Sequence, residues 1–170
     1  QRRPAKRSRM RTSKPAPADW RLIDSVFDEL HTDFNFTLEA CCNDDGSNGH
    51  ANLPFCSPAN SFLKQDVTGQ RVYMNPPWTQ AKEFVQHLRA CHQRDPNAVK
   101  ALIVLPKWAT FDSITKDLTL YKEFPARTQL FTRSPADGDG SVREQVAPSP
   151  WPVQVWQLDE KTPVLQTTSP

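Results

Sequence analysis

Apolar positions along the chain alternate between helical and strand-like spacing. In "DWRLIDSVFDELH", Leu22, Ile23, Val26, Phe27 and Leu30 recur at helical intervals behind Asp19 in N-cap position, which predicts an amphipathic helix. "FNFTLEA" (34–40) reads as a buried strand, and residues 41–61 are turn-rich and form a long loop of the kind that carries function. "RVYMN" (71–75) is a second strand. "TQAKEFVQHLRACHQ" then places Ala81, Phe84, Val85, Leu88 and Cys91 on one helical face. "AVKALIVLP" (98–106) is the most hydrophobic stretch, short and aliphatic as a central parallel strand would be. A further helix is expected around 111–122, a strand at 127–133, and at 151–158 an alternating pattern suited to an edge strand. Strands and helices in alternation predict an α/β domain with a largely parallel sheet and helices on both faces.

Charge refines the boundaries. Residues 1–18 carry Arg2, Arg3, Lys6, Arg7, Arg9, Arg11 and Lys14 with no acid, which leaves 14 bases against 19 acids, net −5, for the rest. This segment is too polar to fold alone and is expected to be a disordered basic tail or linker that attracts nucleic acid, with Arg7, Arg9 and Arg11 among its contacts. The folded part is expected over 19–158, and 159–170 reads as a disordered C-terminal tail. With 37% hydrophobic residues the chain supports one real core, and no apolar run approaches membrane-spanning length. The basic start lacks the apolar stretch of a signal peptide, and the absent initiator Met fits a segment of a longer product. Cys41, Cys42, Cys56 and Cys91 form neither a disulfide framework nor a zinc spacing, so reduced thiols in an intracellular setting and no metal are expected.

The chemistry concentrates at Asn75-Pro76-Pro77-Trp78, directly behind the second strand and therefore at the carboxyl edge of a parallel sheet, where open α/β folds bind ligands. Residues before proline are held extended, so the corner is rigid before any ligand arrives. The Asn75 side-chain oxygen and the Pro76 carbonyl make a preformed pair of acceptors, and Trp78 offers an aromatic face. An exocyclic amine on a flat ring fits that set. The plain alternative is a strand terminator with a buried tryptophan. Lys107 and Trp108, behind the hydrophobic strand, share the same edge and would suit a phosphate contact and a stacked base. His50 reads as an ordinary loop histidine, and no Ser-His-Asp row, P-loop or metal spacing appears.

The corner resembles the Asp/Asn/Ser-Pro-Pro-aromatic motif of S-adenosylmethionine-dependent amino-methyltransferases. From about Asp19 to Arg133 the chain is similar to the compact phage-type (Dam-like) DNA N6-adenine methyltransferases, also carried in the polyproteins of DIRS-type retroelements: "DWRLIDSVFDEL", "FNFTLEACCN", "QDVTGQRVYMNPPW" and "ALIVLPKW" carry the likeness. The resemblance implies a Rossmann-like class I methyltransferase fold and methyl transfer from S-adenosylmethionine to adenine N6 in DNA. It further implies a domain linked to others in a polyprotein, nuclear in a eukaryotic host and cytoplasmic otherwise. By carry-over, Asn75 and Pro76 hold the amine, Pro77 stiffens the corner and Trp78 stacks on a base swung out of the duplex. Glu39 and Ala40, with Asp66 and Asn75, would face the cofactor, and no general base is needed because the amine loses its proton to solvent. Glu39 stands where the family usually has Asp, no glycine-rich loop is present, and residues beyond Arg133 do not follow the family. An inactive nucleic-acid-binding module, or a methyltransferase of another amine such as cytosine N4 or a protein glutamine, therefore remain as alternatives.

Overall fold

The computed structural model describes residues 20–133 and 145–164. The expected basic tail at 1–18, with Arg7, Arg9 and Arg11, and the end of the C-terminal tail lie outside them. In chain order the elements are β1 (Trp20–Leu22), α1 (Asp24–Phe34), β2 (Leu38–Glu39), β3 (Arg71–Met74), α2 (Ala81–Arg94), β4 (Lys100–Pro106), α3 (Asp112–Thr115), β5 (Thr119–Phe124), β6 (Gln129–Arg133), β7 (Gln145–Pro148) and β8 (Val153–Leu158). Five strands form the main sheet in the order β2-β3-β4-β8-β5, and β1-β6-β7 form a second, smaller one.

The domain is α/β, but the main sheet is mixed. β2, β3 and β4 are parallel neighbours, and α2 carries the chain from β3 to β4. β8 is antiparallel to both β4 and β5, so β5 runs in the direction of β4 and one reversed strand lies between them. The 151–158 segment is thus an interior strand, not an edge: Val153 and Val155 are buried, while Gln154 reaches across to Glu123 of β5 at 2.8 Å. The helix expected at 111–122 is reduced to α3 and a 3-10 turn at Ala109–Phe111. The segment "TLYKEF" pairs with β8 as β5 instead, satisfying its backbone through the sheet. The 127–133 strand forms as β6, but pairs antiparallel with β1 and β7 in the second sheet.

The first helix starts later than its apolar spacing predicts. Trp20–Leu22 pair with Arg133–Phe131 of β6, and extended Ile23 then caps α1. At its other end Asn35 adopts the left-handed conformation, φ 55°, and donates its N–H to the His31 carbonyl, a helix stop that shortens the 34–40 strand to Leu38–Glu39.

Both faces of the main sheet are covered. Val72, Met74, Ala101, Ile103 and Leu105 face α2 through Ala81, Val85, Leu88 and Cys91, with Phe62 and Phe111 alongside. Tyr73, Leu102 and Val104 face α1 through Phe27 and Leu30, with Leu22, Leu130 and Phe131 of the second sheet. Successive β4 side chains bury on opposite faces, which is why the strand reads as one continuous apolar run. Leu102→Ala, at a wholly buried position, should lower stability by about 2–5 kcal/mol in urea unfolding, the range for an emptied core leucine. Residues 159–164 close against α2: His92 Nε2 donates to the Asp159 carbonyl at 2.8 Å and Arg89 to that of Pro163 at 3.2 Å.

No described helix is long and apolar enough to cross a membrane. Among the described residues, no three His, Cys, Asp or Glu side chains are placed to hold a metal ion.

Candidate functional site

Parallel strands β2, β3 and β4 deliver Ala40, Asn75 and Lys107 to one edge of the sheet. The reversed β8 brings its amino end, with Trp151 and Pro152, to the same edge. The loop 41–61 is ordered by side chains that replace regular structure. Asn48 Oδ1 accepts from the Asn43 N–H at 2.7 Å, Asp44 Oδ1 from the Ala59 N–H at 2.8 Å, and Asp45 Oδ1 from the Ser47 N–H at 2.9 Å. Gly46 is left-handed at φ +69°, and a Cβ there would sit 2.9 Å from the Phe55 ring, so this turn requires glycine. The loop returns beside β2, where the Cys56 N–H donates to the Glu39 carbonyl and the Cys42 N–H to that of Cys56, both at 2.9 Å.

Between this loop, the corner and α2 lies a cavity of about 250 Å³. Ala40, Asn75 and Pro77 form its sheet edge; Asn43, Asn48, Ser57 and Ser61 line it with neutral polar groups, and Leu63 and Phe84 with apolar ones. Among the described residues, no Asp, Glu, Lys, Arg or His lines it. Cys41 and Cys42 do, and burial pushes both thiols up, with the neighbouring Cys42 raising Cys41 and Glu39 raising Cys42. At neutral pH both remain protonated and weakly nucleophilic.

The Asn75 amide is oriented by its partner. Nδ2 donates to the Trp20 carbonyl at 3.0 Å, a contact only the NH₂ end can make, so Oδ1 is the end that takes no hydrogen bond from the described residues. Pro76 is buried behind it, Pro77 lines the cavity, and Trp78 opens a 3-10 turn at Trp78–Gln80. Trp78 does not stand alone. Its ring centroid is 5.9 Å from Trp20, 5.1 Å from Trp108 and 5.8 Å from Trp151, and Trp108 and Trp151 meet edge to face at 4.9 Å. A separate groove is lined by Trp78, Thr79, Lys82, Glu83, Trp108 and Phe111.

The other anticipated residues are placed differently. Glu39 is buried and turned to His50: Oε1 meets His50 Nδ1 at 2.7 Å and Oε2 accepts the His50 N–H at 2.8 Å. Asp66 is at the surface away from the cavity, accepting from Thr68 and pairing with Arg94 at 3.6 Å. Lys107 lies on the expected edge, with its ammonium 3.4 Å from Glu123. The structure therefore gathers Ala40, Asn75, Pro77, Trp78 and Trp108 and leaves Asp66 out.

Trp20, Trp151, Asn48 and Gln80 belong to this edge and went unread in the sequence. Trp20 looked like the start of a helix and Trp151 like part of an outer strand. Gln80 lines both the cavity and the groove. The available signal was that several of the five tryptophans fall next to element ends. No known family model matches the chain, and no curated protein is similar to it.

Proposed function

We propose that the chain is a Rossmann-like, class I methyltransferase-type domain that transfers a methyl group from S-adenosylmethionine to the N6 amine of adenine in DNA. The observation that carries this is the Asn75 amide, fixed through Trp20 so that its oxygen is the free acceptor, in the wall of a cavity at the carboxyl ends of parallel strands. The cavity fits the cofactor in kind: Leu63 and Phe84 offer an apolar wall for a flat ring, and Asn43, Asn48, Ser57 and Ser61 offer hydrogen bonds to hydroxyls and polar ends. When bound, the cofactor supplies an electrophilic methyl group. The residues of the chain do the rest. Asn75 Oδ1 and the Pro76 carbonyl accept the two amine hydrogens and favour a nitrogen lone pair directed outward, while Trp78 holds the ring. The thiols of Cys41 and Cys42, kept protonated, do not compete for the methyl group.

One observation favours a second reading, an inactive nucleic-acid-binding module with this shape. Both Glu39 oxygens are engaged by His50, and no carboxylate of the described residues lines the cavity. Calorimetric titration with S-adenosylmethionine separates the two. Saturable binding, with N6-methyladenine in DNA recovered after incubation, is the expected result; absence of any binding heat together with no product would leave only the module.

A further inference from the structure

The segment that wraps the cavity, from β2 through the loop 41–61, carries Glu39, Asp44, Asp45 and His50. Each is engaged elsewhere. Glu39 and His50 hold each other, Asp44 accepts the Ala59 N–H, and Asp45 accepts the Ser47 N–H. Arg21, the cation that reaches this loop from β1, donates to the Gly49 carbonyl at 3.0 Å and pairs with Asp24 at 2.6 Å. What the loop gives the cavity is Asn43, Asn48, Ser57 and Ser61, with the thiols of Cys41 and Cys42 kept protonated by burial. The charges thus order the loop, and amides, hydroxyls and thiols make the wall.

These neutral groups are held in place before any ligand arrives. Asn48 is only 8% exposed and its Oδ1 is committed to the Asn43 N–H at 2.7 Å, which leaves its NH₂ end without a partner among the described residues. Phe84, on the apolar side of the cavity, lies nearly parallel to the wholly buried Phe62, at 9° and 5.9 Å between ring centroids. A wall already fixed costs a ligand little ordering entropy.

The consequence is selection by charge. An ionised group brought from water into this cavity meets dipoles but no opposite charge on the wall just described, and a buried charge without a partner is costly. A neutral nucleoside escapes that cost: its ring is matched by Phe84 and Leu63, and its sugar hydroxyls by the asparagines and serines. The volume of about 250 Å³ falls just below the range of roughly 300–1,000 Å³ for drug-sized ligands, a space on the scale of a nucleoside.

We propose that this cavity selects uncharged adenine nucleosides, and that a nucleoside bearing neither a phosphate nor an amino-acid end regulates the site by displacing S-adenosylmethionine. The choice of adenine and the regulatory role rest on the methyl-transfer reading; the preference for a neutral ligand does not.

The test is calorimetric titration of the full chain with adenosine, AMP and S-adenosylmethionine. Adenosine should bind, AMP should bind at least about tenfold more weakly, and S-adenosylmethionine should bind no more tightly than adenosine and be displaced by it. Asn48→Asp keeps an acceptor for the Asn43 N–H and adds a carboxylate to the wall. Because S-adenosylmethionine carries a net positive charge, this variant should raise its affinity relative to that of adenosine roughly tenfold. A melting curve verifies the fold, and Ser57→Asp, half-buried in the same wall, repeats the measurement if Asn48→Asp does not fold. AMP binding as tight as adenosine, S-adenosylmethionine binding more than about tenfold tighter than adenosine, or an unchanged affinity ratio in the folded aspartate variant overturns the proposal. Methylated product without adenosine binding overturns it and leaves methyl transfer standing. Adenosine binding without S-adenosylmethionine binding has the opposite result, keeping the neutral-nucleoside site and ending methyl transfer.

Discussion

On the methyl-transfer reading proposed above, Asn75→Ala should sharply reduce transfer while the protein remains folded. The expected loss is roughly 10²–10³ in turnover, the usual consequence of deleting one preorganised hydrogen-bonding group at a reacting centre. The accompanying loss of stability is small. What disappears from the fold is one partly buried hydrogen bond, Nδ2 to the Trp20 carbonyl, and a neutral bond of this kind contributes about 1 kcal/mol. Asn75→Asp divides the two functions of the amide: it retains an acceptor oxygen for the amine but turns a carboxylate oxygen toward the Trp20 carbonyl. It should keep part of the transfer and lose more stability than Asn75→Ala, because two acceptors then face each other. Trp78→Ala is the less informative probe. Its half-buried ring touches three other tryptophans and packs against the core beneath α2, so its removal lowers the melting temperature and base capture together. Methyl incorporation and melting temperature measured on the same Asn75 variants decide the matter; transfer by Asn75→Ala at the wild-type rate would make the corner architecture alone.

Some elements were legible because burial wrote them directly into the sequence. β3 and β4 are covered on both faces, so their apolar runs are unbroken, and α2 shows its buried face at Ala81, Val85, Leu88 and Cys91. The corner was legible for a similar reason, since two prolines after a buried strand fix the backbone locally. Elements defined by distant partners were not legible. β1 is extended only because Phe131–Arg133 pair with it, and nothing within "DWRLI" opposes a helix. β8 looks like an outer strand because Gln154 and Gln157 interrupt it, yet Gln154 has its partner in Glu123 on β5. Thr119–Phe124 shows no alternation of its own, and only pairing with β8 makes it a strand. In the candidate site the sequence identified Asn75, Trp78 and Trp108. It could not show that Glu39 would be taken by a histidine eleven residues later, because a loop of that length places no constraint on which way its side chains turn.

That buried pair sets the second large expectation. Glu39 and His50 have side chains only 4% and 2% exposed, and the His50 ring lies flat on Phe27 at 4.2 Å. His50 Nε2 meets the Leu22 carbonyl at 2.7 Å; a carbonyl only accepts, so Nε2 carries a proton and Nδ1 is the atom that meets the carboxyl group. The two residues thereby join β2, the cavity loop and β1. His50→Leu should cost about 3–5 kcal/mol in urea unfolding, because it strands a buried carboxylate. Glu39→Gln should cost far less. A glutamine amide can donate to Nδ1 of a neutral imidazole and still accept the His50 N–H, so every bond survives without a buried charge. Joint replacement, Glu39→Leu with His50→Leu, should destabilise by less than the sum of the single leucine variants, since neither partner is left alone. The same Glu39→Gln protein separates a structural acid from one that binds the cofactor. If Glu39 serves the loop, stability and S-adenosylmethionine binding both stay near wild type; if binding is lost while the unfolding midpoint is unchanged, Glu39 leaves His50 to hold the cofactor and the pair is not the fixed clasp described above.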